Sequence, residues 1–150
     1  MMTAAAVMTC ALSLLGSRTP GLAPIELLTA RPADVTPYAV AFIRRNPDRI
    51  YVLTTSGVFQ SARRRTGAGC DTTPFRIIAS AVVHEDTHLR YGSGERAAYE
   101  AQLAALMNLG SGPESDAFKM VLRAMNAVLA AEAVSVGVSV PLDGGRALPR

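Results

Sequence analysis

The chain has 150 residues, a formal net charge of +3 and a composition that is 49% hydrophobic and 18% charged. This composition excludes a disordered chain, and the length suits one domain with a real core but is hardly enough for two. The mildly basic pI of about 9.2 falls short of what is typical of a dedicated nucleic-acid binder. Few aromatic residues, no tryptophan and abundant alanine favour helices.

Residues 1–21 form an apolar segment that resembles the apolar core of a signal peptide in length. The segment lacks a Lys or Arg before the apolar run and a clear A-x-A cleavage site, and it is short for a transmembrane span. We interpret it as a signal peptide or N-terminal anchor, which favours a secreted or envelope location over the cytoplasm. The alternatives are a buried N-terminal helix and a misassigned start of the chain.

The two cysteines, Cys10 and Cys70, give little information about the fold or the function. They can pair only if residues 1–21 stay attached, and nothing in their spacing demands a disulfide. With that segment removed, Cys70 is a single thiol in a loop-like stretch. No further histidine is free to activate this thiol as a nucleophile, so an inert cysteine is expected.

The stretch after this segment predicts helix and then one strand. Residues 22–46 are predicted to be helical with proline interruptions, because residues 38–45 carry apolar side chains at helical spacing. Residues 50–54 are rich in β-branched and aromatic side chains and predict the one convincing strand.

Arginines cluster in the same part of the chain. Residues 56–65 predict a short helix that ends in a run of three arginines. We expect a basic surface, solvated or touching phosphate, formed by six side chains: Arg44, Arg45, Arg49, Arg63, Arg64 and Arg65. Aromatic residues do not interleave with them in a stacking pattern, so specific nucleic-acid binding is not expected.

A long helix is predicted next, over residues 74–90, with Thr73 as its N-cap and Pro74 as its first residue. It is apolar on most sides, which is typical of a buried central helix. The sequence Y-G-S-G at 91–94 predicts a helix stop and a tight turn, with Ser93 as the N-cap of the following helix.

The last third of the chain predicts two more helices, at residues 97–109 with a stop at Gly110 and at residues 117–134. The methionine-containing apolar stripe of the second of these is expected to be core. Residues 134–140 are predicted to extend as a final strand, and residues 141–150 form a loose, turn-rich tail.

The central helix contains the pattern H-E-x-x-H. His84 and His88 are four residues apart and therefore lie on one helical face, where both imidazoles can reach one metal ion. Zinc is the metal most often held in this way. Glu85 projects about 100° from His84 around the helix, the position from which a carboxylate can act as general base on a zinc-bound water. These are the only two histidines of the chain.

A catalytic zinc site needs a third protein ligand, which here must be a carboxylate or Cys70. The turn at 91–94 should fold the next helix back beside the first and bring Glu95 near the histidines. Glu100 lies about 140° around that helix from Glu95, so the two are not expected to face one metal ion. Tyr99 and Gln102 share the helical face of Glu95, whereas Glu100 and Cys70 stay open as alternative ligands.

This arrangement resembles the gluzincin group of zinc metallopeptidases. The H-E-x-x-H at residues 84–88, followed by E-R-A-A-Y at 95–99, is similar to the H-E-x-x-H and E-x-x-A-D of Ste24/HtpX-like peptidases and of small minigluzincins. The resemblance covers about twenty residues. It implies Glu95 as the third zinc ligand, and Tyr99 in place of an aspartate that supports the site. It also implies an edge strand above the metal that binds extended peptide, for which residues 50–54 are the candidate.

The resemblance and the residues together predict a mostly helical α+β fold, with zincin-like residues 22–140 as a single metallopeptidase-like domain. The site residues are His84, His88 and Glu95 as zinc ligands, with Glu85 and Tyr99 as catalytic residues. The function expected is hydrolysis of peptide bonds in a peptide or protein substrate, with membrane or envelope association through residues 1–21. The alternatives are a non-catalytic zinc-containing domain that binds a protein partner, and a DNA-associated zincin peptidase.

Overall fold

The computed structural model describes residues 1–18, 21–67, 69–92 and 94–135. In these ranges five α-helices and three β-strands follow one another: α1 Ala4–Leu15, β1 Ile25–Leu28, β2 Ala41–Arg44, β3 Arg49–Leu53, α2 Gly57–Arg63, α3 Thr73–Tyr91, α4 Glu95–Asn108 and α5 Asp116–Ser135. The chain is therefore a small α+β domain dominated by helices, as the sequence predicts. None of the described helices is both long and apolar enough to cross a membrane.

The helical prediction for residues 22–46 is wrong, because this region supplies two strands, β1 and β2. Both pair with β3, β1 in parallel and β2 antiparallel, in a sheet of order β1-β3-β2. The apolar part of residues 38–45 is too short to distinguish a helix from a strand by periodicity. The predicted strand at 50–54 exists as β3, but it is the central strand of the three and not an edge.

The N-terminal segment is part of the main hydrophobic core. Thr3 caps α1 by accepting a hydrogen bond from Ala6 N, and α1 buries Val7, Ala11 and Leu15. These side chains belong to the same core cluster as residues of α2, α3 and the inner face of the sheet. This is the buried N-terminal helix that the sequence leaves open as an alternative, and cleavage after residue 21 stays a prediction.

A disulfide joins Cys10 of α1 to Cys70 in the loop before α3. Pairing is the possibility that the sequence leaves open for a chain that keeps residues 1–21, and the expectation of a single, inert thiol at Cys70 applies only after their removal. The bond also removes Cys70 from the alternative metal ligands, because a disulfide sulfur is not a thiolate. Sequence spacing could not show this pair, since the two cysteines lie 60 residues apart and meet only after α1 has packed on α3.

Helix α3 is the central helix that the sequence predicts. It packs against α1, α2, α4 and the sheet and buries Phe75, Ile78 and Val82 completely. Its N-cap is Thr72, one residue before the predicted Thr73, and Pro74 lies in the first turn. Its end at Tyr91 is set by Gly92, whose left-handed backbone (φ 57°) lets its N–H reach His88 O.

Helices α3 and α4 form an antiparallel pair, and α5 covers their far end. Helix α4 begins at Glu95 with Gly94 as its N-cap, and the predicted cap, Ser93, lies outside the described residues. A second core cluster joins the three helices through six buried side chains: Ile77, Leu103, Leu106, Ala117, Val121 and Met125. The predicted core stripe of the last helix is thus confirmed. The strand predicted over residues 134–140 is wrong at Val134 and Ser135, which belong to α5. The rest of that strand and the predicted tail at 141–150 lie outside the described residues.

Candidate metal centre

The two histidines lie on the face of α3 that meets α4. Their rings are in edge contact, with centroids 5.0 Å apart, and the Nε2 atoms of His84 and His88 are 3.2 Å apart. His84 is buried and His88 is half-buried. A helical spacing of four residues and a common neighbour on α4 bring these two nitrogens together.

Glu95 brings its carboxylate to both imidazoles. One oxygen, Oε2, is 3.3 Å from His84 Nε2, and the other, Oε1, is 3.4 Å from His88 Nε2. The contact with His84 lowers the pKa of Glu95 although its partial burial acts in the opposite direction, so this carboxyl group is anionic at neutral pH. Glu100 is exposed on α4 and does not join the group.

The donor set fits a metal ion. The nearest donor atoms of His84, His88 and Glu95 lie within 4.8 Å of one another. Four ligands bound to zinc at its usual bond lengths in a tetrahedron would lie about 3.3 Å apart, which matches the three separations given above. Nitrogen lone pairs and an anionic carboxylate that converge in this way need a cation or a proton between them. The group can therefore hold a metal ion, and among the described residues no fourth His, Cys, Asp or Glu joins it.

Glu85 lies next to the group without belonging to it. Its side chain is partly buried, and this burial raises the pKa of Glu85 to about 7. The charge of His84 lowers that pKa, and the charge of Glu95 raises it. Glu85 follows His84 directly in α3, and the charges of both His84 and Glu95 act on its carboxyl group. Its role as the base stays a prediction.

Tyr99 packs on His84 and is not a donor of the cluster. The two rings meet edge to face with centroids 4.4 Å apart. Burial raises the pKa of Tyr99, and the nearby carboxylates Glu95 and Glu85 raise it further, so the phenol keeps its proton at neutral pH. The ring therefore restrains the His84 imidazole by packing, and the hydroxyl group can act as a hydrogen-bond donor.

Gln102, which the sequence places on the face of Glu95 without a role, contacts His84. Its Oε1 lies 3.0 Å from His84 Nδ1, the imidazole nitrogen on the side opposite the candidate metal position. Gln102 is buried, and its amide nitrogen lies 3.3 Å from Ser80 Oγ. The sequence did carry a signal for it, because Gln102 is seven residues after Glu95 and hence on the same face of α4.

The centre is tied to the sheet through Arg45. This residue follows β2, and its guanidinium donates a hydrogen bond to the backbone oxygen of His88 at 2.8 Å. Two other arginines of the predicted basic surface have acidic partners, Arg44 with Asp34 and Arg49 with Glu26. Part of the predicted positive surface is thus neutralised within the chain.

No protein-family model matches the sequence, and no curated protein and no solved structure matches it at a significant level.

Proposed function

We propose that the protein is a zinc-dependent metallopeptidase of gluzincin type, with a zincin-like fold. The observation that carries the proposal is the convergence of His84, His88 and Glu95 at tetrahedral spacing. Two further facts support it: Glu85 lies beside this group without joining it, and no fourth candidate donor joins it among the described residues. A centre with three protein ligands and an open position is typical of catalytic zinc, whereas structural zinc has four protein ligands.

In this proposal each side chain has a separate task. His84, His88 and Glu95 hold zinc, which supplies Lewis acidity toward a water molecule and toward the scissile carbonyl group. Glu85 accepts a proton from the attacking water and transfers it to the leaving amine. Tyr99 restrains His84 with its ring and offers its hydroxyl proton to the carbonyl oxygen as negative charge develops there.

The strand that would bind an extended substrate is β2. Strand β3, the candidate from sequence, has both edges occupied by β1 and β2. Strand β2 is an edge among the described strands, it contacts α3, and it leads directly to Arg45 at the backbone of His88. A peptide that added to this edge would therefore run close to the candidate metal centre.

The disulfide supports a location outside the cytoplasm. Such bonds persist in secreted and envelope proteins and are rare in reducing compartments. The covalent link between Cys10 and Cys70 therefore agrees with a secreted or envelope peptidase.

Glu85→Gln tests the proposed chemistry. The variant keeps the shape of the side chain but cannot accept a proton, so we expect it to retain zinc and to lose hydrolysis of labelled casein by about a hundredfold or more. Glu100→Gln, an exposed change on α4, is the matched control and should keep full activity. Turnover by Glu85→Gln at the wild-type rate would contradict the base role. Loss of zinc from this variant would show that Glu85 is a ligand.

A further inference from the structure

A buried polar chain runs from the candidate metal centre into the interface of α3 and α4. His84 Nδ1 meets Gln102 Oε1 at 3.0 Å, Gln102 Nε2 meets Ser80 Oγ at 3.3 Å, and Ser80 Oγ donates to Ile77 O at 2.8 Å. The exposed fractions are 7% for His84, 7% for Gln102 and 0% for Ser80. Water therefore has little access to these three side chains, and their polar atoms must find hydrogen-bond partners in one another.

The hydrogen bonds of this buried polar chain have a fixed direction, because the last of them ends on a backbone carbonyl group. Ile77 O can only accept, so the single hydroxyl hydrogen of Ser80 points to it. Ser80 Oγ can then only accept from Gln102, which places the NH₂ half of the amide toward Ser80 and the carbonyl oxygen toward His84. The reversed amide would set its carbonyl oxygen against Ser80 Oγ, which has no further hydrogen to offer.

An acceptor at Gln102 Oε1 requires a hydrogen on His84 Nδ1. The neutral imidazole has one hydrogen, so its other nitrogen, Nε2, must carry the lone pair. Nε2 is the atom that lies 3.3 Å from Glu95 Oε2 and 3.2 Å from His88 Nε2. The polar chain thus prepares the nitrogen that faces the centre for a metal ion.

We propose that Gln102, oriented by Ser80, is a positioning residue that fixes the Nδ1–H tautomer of His84 and thereby sets the zinc affinity of the site. This inference rests on the proposed function only in that zinc is taken as the metal. It assigns to Gln102 the supporting role that the gluzincin resemblance implies for an aspartate at the position of Tyr99.

Nitrogen NMR of the metal-free protein tests the tautomer directly. At a pH where the imidazoles are neutral, we expect the wild-type His84 to show its hydrogen on Nδ1. Gln102→Met removes both polar atoms at similar volume and should give His84 a mixture of tautomers. His88, whose Nε2 faces Glu95 and His84, is the internal control in the same spectra. A wild-type His84 with its hydrogen on Nε2 would overturn the inference.

Zinc affinity, measured by competition with a chelator, gives the second readout. We expect Gln102→Met to weaken zinc binding by about 10- to 100-fold, the usual cost of losing the hydrogen-bond partner of a ligand. Gln102→Glu restores the acceptor and should bind zinc more tightly than Gln102→Met. Gln60→Met, a matched change on α2 whose amide donates to Thr54 O, should leave the affinity unchanged.

Equal zinc affinity of wild type and Gln102→Met, or no recovery in Gln102→Glu, would also overturn the positioning role. Should Gln102→Met fail to fold, Ser80→Ala tests the same buried polar chain. Without the Ser80 hydroxyl group the Gln102 amide is free to reverse, so we expect mixed tautomers at His84. An unchanged single tautomer in Ser80→Ala would contradict the direction derived above. None of these readouts uses hydrolysis, so a protein that binds zinc but cleaves no peptide would refute the proposed function and leave this inference standing.

Discussion

At the scale of single residues, His84 is held from three sides. Glu95 and His88 lie at its Nε2, Gln102 lies at its Nδ1, and Tyr99 packs against its ring. The positions of His84, Glu85 and His88 follow from helical periodicity within one element, which any reader of the sequence can apply. Glu95 required one more assumption, a tight turn that folds α4 back on α3, and Gly92 provides it. Periodicity places Gln102 on the same face of α4 as Glu95, but its contact with His84 depends on the axial register of two packed helices, which no local pattern encodes.

Tyr99 shows the difference between a pattern and a contact. The resemblance places it where an aspartate would bind a ligand, but in the structure its ring packs edge-on against His84. Packing and hydrogen bonding are thus divided between two residues of α4, with Tyr99 restraining the imidazole ring and Gln102 holding its Nδ1.

A pair of Tyr99 variants separates the ring from the hydroxyl group. Tyr99→Phe keeps the edge contact with His84 and should retain wild-type zinc affinity, while hydrolysis falls about tenfold because one donor to the carbonyl oxygen is lost. Tyr99→Ala removes the ring and should weaken zinc binding as well. Chelator competition and casein hydrolysis measure the two effects. Wild-type zinc affinity in Tyr99→Ala would contradict the packing role.

At the scale of elements, the long helices were predictable and the short strands were not. Helices α3, α4 and α5 each carry several turns of apolar periodicity, enough to define them with errors of one or two residues at their ends. Strands β1 and β2 have four residues each and lie among prolines. Their existence is decided by pairing with β3, a contact between distant parts of the chain.

The free edge of β2 can be located from its pairing. Leu53 N donates to Val40 O, so Val40 and every second residue after it direct their backbone groups toward β3. Ala41 and Ile43 therefore direct theirs away from the sheet. In agreement, the oxygen of Ile43 lies within 3.4 Å of the Arg44 guanidinium and not in the ladder.

Ile43→Pro tests this edge as the substrate-binding strand. Proline removes the outward N–H and is tolerated at a sheet edge, so we expect KM for a peptide substrate to rise about tenfold while zinc content is unchanged. Ile43→Val, which keeps the N–H and loses one methylene group, is the matched control and should keep KM within about twofold. The same KM in both variants would contradict peptide binding at β2.

At the scale of the whole molecule, the N-terminal helix and the metal centre depend on the same element. Helix α1 packs against α3 in the main core, and α3 carries both histidines. The disulfide fixes α1 to the loop that leads into α3. Local sequence patterns identify residues 1–21 only as an apolar segment, because the helix against which they pack begins some fifty residues later in the chain.

Removal of the disulfide should lower the stability of the whole domain. It closes a loop of 60 residues, for which the loss of chain entropy in the unfolded state corresponds to about 2–4 kcal/mol. We expect the Cys10→Ser/Cys70→Ser variant to unfold at a lower urea concentration than wild type. Reduction with dithiothreitol should destabilise wild type and leave the double variant unaffected. Equal urea midpoints for both proteins before reduction would contradict a stabilising bond.

The central claim is that His84, His88 and Glu95 hold one zinc ion, and zinc titration of purified protein tests it most directly. Wild type should bind one zinc per chain, and His88→Ala should lose it. Glu95→Ala should weaken binding about tenfold more than Glu100→Ala, because Glu95 contacts both histidines and Glu100 is exposed on α4. Wild-type protein that binds no zinc, or a greater loss in Glu100→Ala than in Glu95→Ala, would contradict the account.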